Sequence, residues 1–241
     1  MTADRYSTWA RHTGFSGLGL RLKHWVERTY VDNIRGALGR PSLAGTRLLE
    51  IGPGEGHFAD VVSRDGAAYE AVEASPLLAG RLRERGYTVH VGEFPAALPA
   101  GRRYDVIYLS HVLEHVDTRA DAVAVVQRCF EALEPGGYIV VNCPNVLSHK
   151  FHFWHSDYTH NFVTTPNRLY FLLSDCGFEV VSERRMVFGF QNVAARLAMR
   201  LLFLLTPSAI LEAAARRLRP NWRSSPAIYG SENFTTIARR P

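Results

Sequence analysis

Cysteine is scarce in this chain. Its three cysteines, Cys129, Cys143 and Cys176, are odd in number and widely spaced. That excludes a disulfide framework and a clustered thiolate metal site, and buried thiols in a reducing compartment are expected. No apolar run reaches the roughly 20 residues that span a bilayer. The first residues, Met1 to Tyr6, lack the charged-then-apolar pattern of a signal peptide, so no secretion is expected. Internal repeats and low-complexity tracts are absent as well. Acidic residues are missing from one stretch in particular. Between Val193 and Arg223 the single acid Glu212 faces arginines at 196, 200, 216, 217, 219 and 223, which sums to the whole formal net charge of +5. The pI of about 9.3 is therefore a local property. No basic face studded with aromatic residues is visible, which argues against a nucleic-acid substrate.

What is present fits one α/β domain. The chain has 241 residues, 46% of them hydrophobic and 21% charged, ordinary values for a globular protein. Short apolar runs at 47–51, 68–73, 87–91, 104–109 and 137–143 alternate with helical periodicity near 56–65, 76–85 and 119–134. Such alternation implies a parallel sheet with helices on both faces. Ahead of it, apolar positions from Leu18 to Leu38 recur at helical spacing and predict one or two helices on the sheet edge. Residues 1–17 read as a frayed terminus or a flap.

The run Arg47-Leu-Leu-Glu50-Ile-Gly52-Pro-Gly54-Glu-Gly56-His57-Phe58 organises the rest. A buried strand ends in alternating glycines and a helix begins at once. Glycine tolerates φ > 0 and lets a ligand approach the backbone, and the helix start attracts negative charge. A dinucleotide fingerprint would need glycine at 57, where His57 stands. Further on, Glu73 ends the second strand 21 positions after Gly52, and Val89-His90-Val91-Gly92-Glu93 ends the third. Tyr104 to Ser110 forms a fourth, followed by His111-Val-Leu-Glu114-His115-Val116, and Leu133-Glu-Pro135-Gly136-Gly137 turns into the fifth.

This ordered set resembles class I S-adenosylmethionine (SAM) dependent methyltransferases across residues 47–142. The resemblance implies a Rossmann-like, doubly wound, seven-stranded sheet, mostly parallel with an antiparallel last strand. It implies SAM as cofactor, with S-adenosylhomocysteine as product. Glu50, Gly52, Gly54, Gly56, Glu73, Ala74, Gly92, Glu93, Phe94, Ser110 and His111 would hold it, Glu73 taking the ribose hydroxyls and the Gly92 segment the adenine. The domain would divide into an N-terminal helical cap (1–45), a SAM-binding core (46–143), a substrate loop with helix and strand six (144–186), a helical insertion or lid (187–226) and a last strand (227–241).

Six of the ten histidines lie between 111 and 160. Methyl transfer to a hydroxyl needs its proton removed, a task suited to imidazole. Asp157-Tyr-Thr-His160-Asn-Phe162 resembles a segment of small-molecule methyltransferases, including ubiquinone-pathway O-methyltransferases and enzymes that methylate sugars. His160 is therefore the first candidate base, with Asp157 to orient an imidazole; a purely structural hydrogen bond is the competing role. His155 and His111 come next, and His152 and His149 are expected to be solvated or packed in the loop. His111-x-x-Glu114-His115 also fits an inverted zinc-protease motif, but it follows a buried strand where such enzymes close the cofactor pocket. In the ubiquinone-pathway relatives an acid at the place of His111 can take part in metal binding; with histidine there, no metal is expected.

The resemblance implies a small-molecule methyltransferase, most simply acting on a sugar or lipid-linked hydroxyl. A quinone-type phenol, an amine, or a partner subunit that binds SAM without turnover are the alternatives. A monomer or homodimer in the cytoplasm is expected. Helices near 191–205 and 208–218, split by Pro207, leave three roles for the insertion: a lid, a dimer face, or peripheral membrane contact through 191–219.

Overall fold

The computed structural model describes Phe15, residues 17–218 and residues 230–241. The flap reading of 1–17, and Ala227 to Tyr229 as the start of the last strand, therefore fall almost wholly outside the described residues. Elements come in the order α1 (Gly17–Leu38), β1 (Arg47–Ile51), α2 (His57–Arg64), β2 (Ala68–Glu73), α3 (Pro76–Glu84), β3 (Thr88–Val91), β4 (Tyr104–Ser110), α4 (Arg119–Ala132) and β5 (Leu133–Pro144). Then come α5 (Val146–His149), α6 (His152–Ser156), α7 (Pro166–Asp175), β6 (Glu179–Met186), α8 (Val193–Leu205), α9 (Ser208–Leu218) and β7 (Asn233–Arg239).

The seven strands lie in the order β3-β2-β1-β4-β5-β7-β6. Strands β1 to β5 pair in parallel, and β7 runs antiparallel between β5 and β6. The expected Rossmann-like sheet is present. The strand order reverses between β1 and β4, which is where such a sheet opens a crevice at its carboxyl ends.

Side chains alternate across the sheet with a period of two, so β1 feeds both cores. Leu49 and Ile51 join Ile107, Leu109, Ile139 and Val141 under α4 and α7, which contribute Val126, Cys129, Leu169 and Leu173. Leu48 lies on the other face with Val106, Tyr108 and Val140, under Tyr30, Val31 and Ile34 of α1 and Phe58 and Val62 of α2. Phe58 stacks on Tyr108 with centroids 3.9 Å apart. The N-terminal helix therefore covers a sheet face rather than an edge, and it is one unbroken helix. Its apolar stripe is wide enough to bridge several strands, which an edge could not occupy.

Local chemistry sets the helix starts. Thr118 accepts from the Asp121 amide in a reciprocal capping box at α4. Thr165 accepts from the Arg168 amide at α7, with Pro166 in the first turn. The structure departs from expectation at β5 and just beyond it. The strand begins at Leu133, because Leu133 already pairs with Tyr104 ahead of the Pro135-Gly136 turn. The loop after the strand holds the short helices α5 and α6, and Asn145 caps the first by accepting from the Leu147 amide.

Candidate active site

The glycine turn fits the space left for it. Gly52, Gly54 and Gly56 have φ of 70°, 56° and 75°, a region disfavoured for side-chain-bearing residues. A Cβ on Gly52 would stand 2.9 Å from Cγ2 of Val112. The turn after β4 is thus packed directly against the turn after β1. Glu73, at the tip of β2, reaches back over the loop: Oε2 accepts from the Gly54 amide at 3.1 Å and Oε1 from the Ser75 amide at 2.8 Å. Ala74 continues from it, and Gly92, Glu93 and Phe94 come directly after the neighbouring β3, where the Phe94–Pro95 peptide is cis.

Glu50 is buried behind the same turn and accepts from the Tyr69 hydroxyl at 2.6 Å. Burial raises its carboxyl to about 8, and the Tyr69 hydrogen bond offsets only part of this. Ser110 accepts from the Asn142 side chain at 3.0 Å.

A cluster of histidines stands at the tip of β4. His111 has φ of 56°, and its amide donates to the Asn142 carbonyl at 2.9 Å. That bend turns the ring toward Glu114, whose Oε1 lies 2.9 Å from Nδ1. Glu114 is fully buried. Burial alone would raise its carboxyl, but the His111 hydrogen bond and the neighbouring imidazoles outweigh it and hold Glu114 below the usual carboxylate range. The Glu114 carbonyl accepts from the amides of Asn161 and Phe162 and so ties the histidine loop to the β4 tip.

The order of partners fixes the tautomers. The Thr159 hydroxyl donates to Asp157 Oδ1 at 2.7 Å, so it accepts from Nδ1–H of His115, also at 2.7 Å. The carbonyl of Phe153 can only accept, so His160 also carries its proton on Nδ1. Nε2 is therefore the nitrogen left to accept a proton in each ring, and the ring centroids lie 4.9 Å apart. Burial lowers the His115 pKa.

The sequence candidates divide accordingly. His160 and His111 belong to the cluster. Asp157 orients an imidazole, but that of His115 through Thr159, rather than that of His160. His155 is exposed, and its ring meets His152 at a centroid distance of 6.4 Å, away from the cluster. His149 packs in the loop as expected, buried against Asn233 Oδ1 at 3.0 Å. Sequence reasoning does not connect His115 and Thr159 to each other. Only the Asp157-x-Thr159 spacing, which lets one side chain hold its neighbour two residues on, hints at the relay.

Glu114, His115 and His160 offer donor atoms within 4.8 Å of one another, and Glu114 Oε2 is buried without a hydrogen-bond partner. Imidazole and carboxylate together suit a divalent cation such as zinc, and these three residues would hold it. A cavity of about 310 Å³ between Arg47, Tyr69, Glu70, Arg102 and Tyr104 lies at the opposite, amino ends of the strands. Its walls are tied by the Arg47–Asp105 and Arg102–Glu70 pairs, and it adds nothing to this site.

A glycine turn at the strand-order reversal, beneath an acid and beside a histidine tip, is the crevice that class I methyltransferases use for SAM. Residues 22–183 match the methyltransferase-domain family. The chain belongs to that family, and it is a SAM-dependent methyltransferase. It is 30% identical over 187 residues to a ubiquinone biosynthesis O-methyltransferase of Cereibacter sphaeroides, covering 70% of this chain and 74% of that one. Its counterpart in a second strain of that species is 31% identical over 163 residues, covering 60% and 65%. Among solved structures, the N-methyltransferase NodS from Bradyrhizobium japonicum, in complex with S-adenosylhomocysteine, aligns with a TM-score of 0.57 at 14% identity, over 89% of this chain and 86% of that one. That likeness is one of fold.

Proposed function

We propose that this enzyme moves the methyl group of SAM to a hydroxyl of a small, lipid-linked or sugar acceptor, with His160 as general base. The observation that carries the reading is the tautomer of His160, whose basic nitrogen is Nε2, on a loop tied to a β4 tip whose Val112 touches Gly52. SAM supplies an activated sulfonium methyl. The chain's residues supply position and a proton acceptor. Held at the glycine turn and Glu73, SAM would supply the methyl and leave as S-adenosylhomocysteine, while an acceptor hydroxyl between that turn and the histidine loop would give its proton to Nε2 of His160. Phe153 holds the His160 ring through its carbonyl. Exposed aromatic side chains on the same loop, among them Trp154 and Tyr158, offer faces on which a sugar or an isoprenoid chain can lie.

The second reading, a quinone-type phenol, is favoured by the ubiquinone biosynthesis relatives. Phenols ionise far more readily than alcohols, so the base matters less for them. The test is incubation of the purified enzyme with SAM and separate pools of sugar nucleotides, polyprenyl-linked sugars, quinone-type phenols and amines, read by mass spectrometry. Methylation of a sugar or lipid-linked alcohol supports the first reading. Turnover of phenols alone gives the second, and turnover of amines alone sinks both.

A further inference from the structure

Helix α8 is apolar at every position except Arg196 and Arg200, and yet none of its thirteen residues is buried. A helix on a water-soluble fold ordinarily turns its apolar stripe to the core. Here the inward face is narrow. Arg196 holds Glu232 at 2.8 Å, and Phe203 lies against Gly230 and Phe188. Leu197, Leu201, Leu204 and Leu205 are 61%, 54%, 80% and 71% exposed. Helix α9 keeps Ala215 buried and leaves Ile210 outside.

The charge beside this surface is mostly of one sign. Arg200, Arg216 and Arg217 are exposed on the two helices, and Glu212 faces Arg216 only at 3.9 Å. A two-fold contact with a second copy would bring both sets of arginines together. A surface of anionic headgroups would complement their sign. Neither helix is long enough to cross a bilayer. The thirteen residues of α8 rise about 20 Å against a hydrocarbon core of about 30 Å, and α8 and α9 meet at 113°. Such a bent pair can lie in the plane of the interface, leucines in the acyl boundary and arginines at the phosphates.

The surface continues onto a second element. Glu232, which holds Arg196, also accepts from the Asn145 side chain at 3.1 Å, and its amide donates to Ser148. Helices α5 and α8 therefore share one anchor. Beyond that anchor Leu147, Phe151, Trp154 and Tyr158 are exposed, and most are aromatic residues of the kind that settle at headgroup level.

We propose that the α8–α9 hairpin, with the exposed apolar and aromatic residues of 147–158, is an in-plane docking surface for an anionic lipid bilayer. The inference shares Trp154 and Tyr158 with the acceptor reading, so the test is placed on α8 and α9, whose exposed leucines and arginines that reading does not use. The experiment is co-sedimentation of the full chain with phosphatidylglycerol-containing vesicles and with phosphatidylcholine vesicles, at low and moderate salt. Binding to the anionic vesicles alone, weakened at least tenfold by salt, is expected. Leu201→Asp with Leu204→Asp, and separately Arg216→Glu with Arg217→Glu, should each abolish it while SAM affinity by calorimetry stays unchanged, which certifies the fold. Absence of binding to either vesicle, equal binding to both, or a folded leucine variant that still sediments overturns the proposal. A wild-type dimer that the leucine variant dissolves would assign the surface to a second copy and overturn it too.

Discussion

The imidazole of His115 donates through Nδ1 to the hydroxyl of Thr159 at 2.7 Å, and the hydroxyl passes its own hydrogen to Asp157. A carboxylate thereby sets the tautomer of a ring it never touches. His160 reaches the same state through a carbonyl. The two rings share a result and differ in what a mutation can disturb.

Substituting His160→Ala should lower kcat by roughly 10²–10⁴ with little change in SAM affinity. Thr159→Val should cost less, because His115 keeps its ring and loses only its orienting partner. It should also shift the pH–rate profile, which a merely structural role would leave in place. Steady-state kinetics across pH distinguishes these outcomes, and an unchanged profile in His160→Ala removes the base from the mechanism.

Gly54→Val should block the close approach of a ligand to the turn and strain a residue at φ 56°. Glu73→Ala should release the Gly54 and Ser75 amides that its carboxylate now holds. Titration calorimetry should show each variant losing about 1–3 kcal/mol of SAM binding. Wild-type affinity in both would exclude the turn as the cofactor site.

Glu50 and His149 bend the stability curve in opposite directions. Burial lowers His149 to about 4 from an ordinary 6.5, so the unfolded chain binds more protons between these values. Stability falls as pH drops through that window, by about 3 kcal/mol at most at 1.36 kcal/mol per unit. Glu50 is raised from 4.5 to about 8, so the folded chain holds the extra proton, and stability falls as pH rises from 4.5 to 8. The two slopes oppose each other where the windows overlap, and a maximum near the middle of that overlap is expected in denaturant unfolding across pH. His149→Gln should flatten the acid limb and Glu50→Gln the alkaline one.

A group that is protonated at pH 7 releases its proton when a cation arrives. If the ammonium of SAM comes beside Glu50, binding should release close to one proton. Calorimetry in buffers of different ionisation enthalpy would show it, and Glu50→Gln should abolish the buffer dependence.

Zinc supplied to the enzyme should inhibit it. Nε2 of His160 cannot both ligate a cation and accept a substrate proton. Activation by zinc, lost in Glu114→Gln, would reverse the role assigned to His160.

Much of this is legible in residues that act locally. The glycines after Ile51, the acid at 73, and the Thr165-Pro166 start declare themselves through backbone geometry a few residues long. The bounds of α8 and α9 can be read from Pro207 and apolar spacing in the same way. The packing of α1 on a sheet face is not legible, because helical periodicity shows that a stripe is buried without showing against what. The partner of Asp157 is likewise hidden. His115 lies 44 residues from Thr159, and no spacing rule joins two turns that meet only because β4 and β5 run side by side.

The place of β7 bears on how the chain is made. It lies between β5 and β6, so β6 has no strand to pair with until Asn233 to Arg239 arrive. During synthesis on a ribosome, strands β1 to β5 can assemble while β6, α8 and α9 wait outside. The leucines of α8 stay exposed even when the sheet is complete, so the proposed bilayer contact would shelter them both during synthesis and after it.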